Sequence, residues 1–251
     1  SAVAKAVPDG YTLMVTEAAT VMIDPALHGK GKLPYDADKD FIPVSGLVRI
    51  ASALLAKPSF PAHNVKELLA LARQKPGTIT YGTAGIGTMP HMSMVLLASM
   101  AGIKLLPVHY RGAAPALTDV LGGHIDLISM GPTIALPPVR AGKLRMLATS
   151  GPTRFAQLPD VPTVAESGIP GYEAVTWFGL FAPAGTPHEV VVKLNAEVQR
   201  ILADKDFREK FLEPQLLEPM RGAPDDFAHY IATEAARWGK VIREQKLTIA
   251  N

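Results

Sequence analysis

The sequence predicts an α/β fold built as two lobes, on three observations. Short β-forming segments alternate with amphipathic segments of about ten residues, the pattern of parallel βαβ units. That alternation runs unbroken through the middle of the chain, which gives one continuous lobe. Both ends carry strand and helix patterns of their own, with crossing segments near Lys57 and again near Gly168. The expected division is therefore 1–57 plus 169–251 for one lobe and 58–168 for the other.

Tyr11 to Thr16 reads as the first strand, and Val44 to Ala56 supplies further β-rich apolar sequence. Asn64 to Arg73 reads as a helix. Asn64 is its N-cap, Glu67 stands three residues on, Leu68, Leu69, Leu71 and Ala72 form the apolar stripe, and Pro76-Gly77 ends it. Strand Thr78–Tyr81 leads through a glycine loop into a Met-rich helix from about Pro90 to Met100, with Gly102 beyond its end. Lys104–Tyr110 is the next strand and Ala113–Leu121 the next helix, with Pro115 in its first turn. Strand Ile125–Met130, a short helix near Ile134–Arg140 and strand Leu144–Thr149 follow. Four prolines between Gly151 and Tyr172 mark a long crossing segment, and Trp177–Phe181 resumes as a strand. Thr186-Pro187-His188-Glu189 reads as a capping box, with Val191, Leu194, Val198 and Ile201 on the buried face of its helix. Phe227, Tyr230, Ile231, Trp238, Val241 and Ile242 mark the buried face of the last helix.

Composition removes several function classes. The 251 residues hold 25 basic and 23 acidic side chains, a formal charge of +2, with no basic run of the kind a nucleic acid needs. No apolar run approaches the roughly 20 residues that span a bilayer, so the expectation is a soluble chain that is not membrane-embedded. The absence of cysteine excludes thiolate catalysis, disulfides, zinc–thiolate sites and iron–sulfur clusters together. The chain opens Ser1-Ala2-Val3-Ala4-Lys5-Ala6-Val7, without an initiator Met or an apolar signal core. This reads as the end of a helix stopped by Pro8-Asp9-Gly10, and predicts that a segment upstream is missing.

The stretch Tyr81-Gly82-Thr83-Ala84-Gly85-Ile86-Gly87-Thr88-Met89-Pro90-His91 is the most informative. It follows a strand and opens a helix. Its glycines let a ligand approach the backbone, Thr83 and Thr88 add hydroxyls, and the helix start favours an anion. The alternative is a tight structural turn. Gly82 and Gly87 have Walker A spacing, but Thr88 stands where that motif needs lysine, and the glycine order is not that of a dinucleotide fingerprint. His91 either contacts ligand or braces the turn. Tyr110 and Arg111 end a strand before a helix, the crevice side of a parallel sheet, where Tyr110 can wall a pocket and Arg111 can meet a carboxylate. Trp177 reads as core or pocket, and the methionines, Met89, Met92, Met94 and Met100 among them, as core filler. Asp36 to Asp40 starts like an EF-hand but has Phe41 and Leu47 where glycine and glutamate are required, so it reads as a solvated turn. No histidine pair has metal-ligand spacing, no nucleophile elbow is present, and no cofactor motif appears.

Taken together, these segments resemble the Bug/TctC family, the periplasmic receptors of tripartite tricarboxylate transporters. The matching stretches are Pro8 to Leu13, Tyr35-Asp36 with Asp40-Phe41, Tyr81 to His91, Tyr110 to Pro115 and Leu121 to Asp126. Ala141 to Ala148, Leu158 to Thr163 with Glu166-Ser167-Gly168, and Trp177 to Pro187 complete the set, in the family's order along nearly the whole chain. The resemblance implies a two-lobed periplasmic-binding-protein (type II-like) architecture with parallel-rich sheets. It implies a periplasmic, non-catalytic receptor that grips a di-, tricarboxylate or aromatic acid between its lobes and passes it to the membrane components of a transporter. It places the anion cradle on Gly82, Thr83, Gly85, Gly87 and Thr88, and the other lobe's contribution on Thr16, Glu17, Ala18, Ala19 and Thr20. It also implies that a first strand, glycine-rich loop and helix precede Ser1. Glu17 departs from a plain anion site, since a carboxylate there repels a second acid or accepts from an ammonium or hydroxyl. The rival readings are an α/β enzyme acting on a phosphate- or acyl-containing molecule through the same glycine loop, and a protein-interaction scaffold.

Overall fold

The structure is a computed structural model that describes residues 2–29 and 31–248. Of the expected helix end at Ser1–Val7, Ser1 lies outside the described residues and Val3–Lys5 forms a single 3-10 turn. In chain order, β1 spans Met14–Glu17 and leads through a π-helical turn, Ala19–Ile23, into α1, Asp24–His28. Then come β2 (Phe41–Ala51), β3 (Ala53–Ala56), α2 (Val65–Gln74), β4 (Thr80–Thr83), α3 (Met89–Ala101), β5 (Leu106–His109) and α4 (Ala113–Leu121). β6 (Leu127–Met130), α5 (Pro132–Arg140), β7 (Arg145–Thr149), β8 (Val175–Pro183), α6 (His188–Ala203), α7 (Lys205–Phe207), β9 (Glu218–Pro219) and α8 (Pro224–Glu244) complete the chain.

These elements form two compact units, Ser1–Arg49 with Thr176–Asn251, and Ile50–Val175. The division falls earlier on entry and later on return than Lys57 and Gly168. The reason is β3, which pairs with β6 and β7 and so belongs to the second unit. On the return, Ala174 donates to Ser150 O at 2.9 Å and keeps the last residues before β8 in that unit as well.

In the first unit one sheet has the order β1-β8-β2-β9, with β1 antiparallel to β8 and β2 antiparallel to β9. Val44, Leu180, Ala182 and Val191 are packed together, with Leu194 and Val198 of α6 against them. Trp177, Phe181 and Phe227 form an aromatic cluster that ties β8 to α8. The first strand is shorter than Tyr11–Thr16. Asp9 Oδ1 accepts from Tyr11 N at 3.0 Å, and that side-chain turn holds Tyr11 in solvent, 93% exposed, before pairing begins. α6 departs from its expected capping box. Thr186 Oγ1 donates back to Pro183 O at 2.8 Å, so Pro187 caps without a side-chain acceptor. On the face of α6, Ile201 is exposed and Asn195 is buried, where its amide donates to Val44 O and Gly222 O.

The second unit holds a mixed sheet of order β5-β4-β6-β3-β7. β4 lies parallel between β5 and β6, while β3 runs antiparallel to β6 and β7. Parallel pairing is thus confined to the strands linked by helical crossovers, and the parallel-rich expectation becomes a mixed sheet. α2 has the reciprocal cap that its sequence predicts: Asn64 Oδ1 accepts from Glu67 N at 2.9 Å, and the Glu67 carboxylate accepts from His63 N at 2.7 Å. α3 is buried on nearly every side from Met89 to Leu97 and ends at Gly102 with φ 62°, a left-handed stop. Met89, Met92 and Met94 fill core as expected, whereas Met100 stands exposed on the last turn. The Asp36–Asp40 segment is a solvated turn closed by Asp40 Oδ2 accepting from Asp36 N at 2.8 Å and by the Lys39–Asp36 ion pair.

Candidate functional site

The glycine loop connects the interior strand β4 to the buried helix α3, so both of its ends are fixed. Gly82 belongs to β4 itself. It is buried, and a Cβ there would stand 2.5 Å from Ile125 Cδ1, so this glycine serves core packing. Gly85 and Gly87 adopt φ 142° and 82°, a region that side chains other than glycine's rarely reach. These two residues turn the chain back into α3.

Both threonine hydroxyls are engaged within the loop. Thr83 is fully buried, accepts from Gly85 N at 3.3 Å and lies 2.8 Å from His109 Nδ1. Thr88 Oγ1 donates to Gly85 O at 2.9 Å. Thr88 is the N-cap of α3, yet its side chain accepts nothing from the helix, and Pro90 has no N–H to offer. Among the described residues, the amides of Met89 and His91 in the first turn, and of Ile86 at the loop tip, have no acceptor. Uncapped first-turn amides and the positive end of the helix dipole are the ingredients of an anion site.

His91 is buried and braces the loop. Its Nδ1 accepts from Gly87 N at 3.2 Å, its ring stacks on Tyr81 at 6.5 Å, and it meets the His109 ring edge-on at 5.0 Å. Burial, and then the charge on His109, push its pKa down to about 4. Burial also lowers His109 and raises the Tyr81 phenol. Tyr110 N donates to Thr83 O and Gly112 N to Ala84 O, so the segment after β5 is laced to the loop. The Tyr110 hydroxyl donates to Asp119 Oδ2 at 2.6 Å. Burial and that carboxylate raise its pKa to about 12. Arg111, between Tyr110 and Gly112, is exposed and has no ion-pair partner among the described residues.

The remaining predicted residues lie in the other unit. Thr16 and Glu17 end β1, Ala18 and Ala19 are buried at the start of the π-helical turn, and Thr20 O accepts from the Tyr35 hydroxyl at 2.7 Å. Ala18 and Ala19 can therefore offer a ligand only backbone. Glu17 is half-buried, and burial followed by the neighbouring Asp24 carboxylate raises its pKa. Trp177 is wholly buried against Phe227 at 5.2 Å and Tyr230 at 6.2 Å, and its indole Nε1 has no hydrogen-bond partner among the described residues. The same unit contains a cavity of ≈ 400 Å³ between Arg49, Met220, Arg221, Asp226, Phe227 and Tyr230. None of the ligand-binding residues predicted from the sequence lines it. Its charges are largely answered already: Arg49 Nε donates to Glu218 at 2.8 Å, and Asp226 caps α8 through Ala223 N. Sequence reading missed His109, whose only signal is its place opposite Thr83 in the β4–β5 register.

Comparison with known proteins gives a consistent set of likenesses. Residues 1–247 match the TctC family, described as the tripartite tricarboxylate transporter family receptor. A UPF0065 protein of the tcbD-tcbE intergenic region of a Pseudomonas species is 37% identical over 98% of this chain and 72% of its own length. The R. palustris protein Rpa4515, solved with adipate, superposes with a TM-score of 0.87 at 34% identity, covering 98% of this chain and 82% of that one. MatC of Rhodopseudomonas palustris, solved with bound malate, gives 0.79 at 34% identity over 96% of this chain and 82% of its own.

Proposed function

We propose a carboxylate receptor, from one premise: the chain belongs to the TctC family of tripartite tricarboxylate transporter receptors. In this reading the protein captures a small di- or tricarboxylate, or an aromatic acid, in the periplasm and hands it to the membrane components of a tripartite transporter. The observation that carries the reading is the uncapped start of α3 behind the glycine loop, with the amides of Ile86, Met89 and His91 left without acceptors among the described residues. A carboxylate oxygen accepts from several N–H groups at once, and such charge-assisted bonds are about twice as strong as neutral ones. Arg111 adds a cation on the segment laced to the loop. The loop lacks the lysine that reaches terminal phosphates, which favours a carboxylate over a nucleotide. Adipate and malate in the two similar R. palustris proteins support the same chemistry. For Thr16–Thr20 the reading assigns a part in ligand selection through the half-buried Glu17 carboxyl and the backbone of Ala18 and Ala19.

A receptor without catalysis fits the same loop. The two imidazoles beside the loop are already engaged, His91 Nδ1 by Gly87 N and His109 Nδ1 by the Thr83 hydroxyl. Isothermal calorimetry with adipate, malate and the neutral diamide adipamide tests the reading. Both acids should bind, at least tenfold tighter than the diamide. Equal affinity for acid and diamide, or no binding of any carboxylate, overturns it.

A further inference from the structure

We propose that His91 and His109 are positioning residues that lock the glycine loop into its anion-receiving shape, His91 through a bare Nδ1 and His109 through the Thr83 hydroxyl; this rests on the receptor reading above. Gly85 and Gly87 provide the backbone freedom that the turn requires, and the same freedom lets an untied loop wander. The structure ties both amides. Gly87 N donates directly to His91 Nδ1. Gly85 N donates to Thr83 Oγ1, and the same hydroxyl is paired with His109 Nδ1 at 2.8 Å. The proton inventory follows for His91: accepting from Gly87 N, the imidazole presents a bare Nδ1 and carries its hydrogen on Nε2. A proton added at His91 Nδ1 would set two donors against each other. With these two amides tied, the amides of Ile86, Met89 and His91 stay at fixed positions for a ligand.

The neighbours of His91 favour the neutral form. Tyr81 on β4 stacks on it and His109 on β5 meets it edge-on. β6, also packed on α3, carries no titratable group between Leu127 and Met130. The burial that holds His91 near pH 4 agrees with a clamp that stays closed at ordinary pH.

Two substitutions separate clamp from packing. His91→Asn keeps an acceptor oxygen near the place of Nδ1, and His91→Phe keeps a ring on Tyr81 but removes the acceptor. Adipate affinity by calorimetry and exchange of the Gly87 amide by NMR are read on both. His91→Phe should weaken adipate about tenfold, the loss of one hydrogen bond's worth of positioning, and speed Gly87 exchange. His91→Asn should stay within about threefold of wild type and keep Gly87 protected. Equal losses in both variants, or unchanged Gly87 exchange in His91→Phe, overturn the proposal. Should His91→Phe fail to fold, His109→Leu at the exposed end of β5 gives the same test through the Gly85 amide. Histidine nitrogen shifts add an independent check: a hydrogen on Nδ1 of His91 at pH 7 refutes the clamp. The receptor reading fails separately, if wild type binds no carboxylate while Gly87 remains protected.

Discussion

Gly82→Ala places a methyl group where Ile125 already stands. The new Cβ would lie 2.5 Å from Ile125 Cδ1, 3.4 Å from Ala116 Cβ and 3.5 Å from Tyr110 Cε2. Carbon atoms in contact prefer about 3.5–4.0 Å, so Cδ1 must retreat by about 1 Å within a core where Ile125 and Ala116 are both buried. β4 cannot shift to relieve it, because β5 and β6 pair with it on either side. Overpacking of this kind costs about 1–3 kcal/mol. Ile125→Val removes Cδ1 and by itself costs about 0.5–1.5 kcal/mol. The double variant should therefore be no less stable than Ile125→Val alone, a coupling of about 1–3 kcal/mol in its favour. Urea unfolding of the four proteins measures each corner of the cycle. Simple additivity of the two losses would refute the packing role of Gly82. Calorimetry on the double variant completes the test: adipate affinity should equal that of wild type, and a loss there would return Gly82 to the ligand cradle.

Two further expectations concern pH and charge. His91 is held neutral with a folded pKa of about 4, below the roughly 6.5 of an unfolded imidazole. Its contribution is thus present above about pH 6.5 and lost as pH falls through about 4, on the order of 3 kcal/mol in all. Urea unfolding at pH 7 and pH 4.5 should show His91→Phe losing less stability over this window than wild type; equal losses would contradict the linkage. Lys57 Nζ pairs with Asp126 at 2.9 Å, both side chains about one-fifth exposed, and Thr80 donates to the same carboxylate. Against the burial that opposes ionisation, Lys57 and Thr80 hold Asp126 below the usual carboxylate range. Its stabilisation is present above the unfolded carboxylate pKa and lost as pH falls through the lower folded value. Lys57→Met should cost about 1–3 kcal/mol at pH 7 and flatten that acid limb; an unchanged limb in acid unfolding curves would count against the pair.

What the sequence disclosed was local, and what it concealed was long-range. The Asn64 cap, the Pro76-Gly77 stop, the Gly102 stop and the whole of α4 were readable because each signal lies within one turn of the feature it sets. The direction of β3 and β8 was not, since antiparallel pairing depends on where the chain returns from. Periodicity marked the inner face of α6 but placed Ile201 on it and overlooked Asn195. The carbonyl that requires Asn195 belongs to Val44, far away in sequence. At the site, the glycine spacing pointed to the loop, and the threonines counted as donors for a ligand. The structure engages those hydroxyls with His109 and with the Gly85 carbonyl, and leaves backbone amides as the acceptor-seeking groups. No count of residue types reveals that exchange. His109 becomes visible only when β4 and β5 are aligned with Thr83 opposite it.

The central claim is that a carboxylate settles on the backbone at the start of α3. Amide shifts in an NMR titration of the protein with adipate test it most directly. The account predicts the largest changes at Ile86, Met89 and His91, with saturation at the affinity found by calorimetry. Changes centred instead on Arg49, Met220 and Arg221 around the other cavity, or none at millimolar adipate, would contradict it.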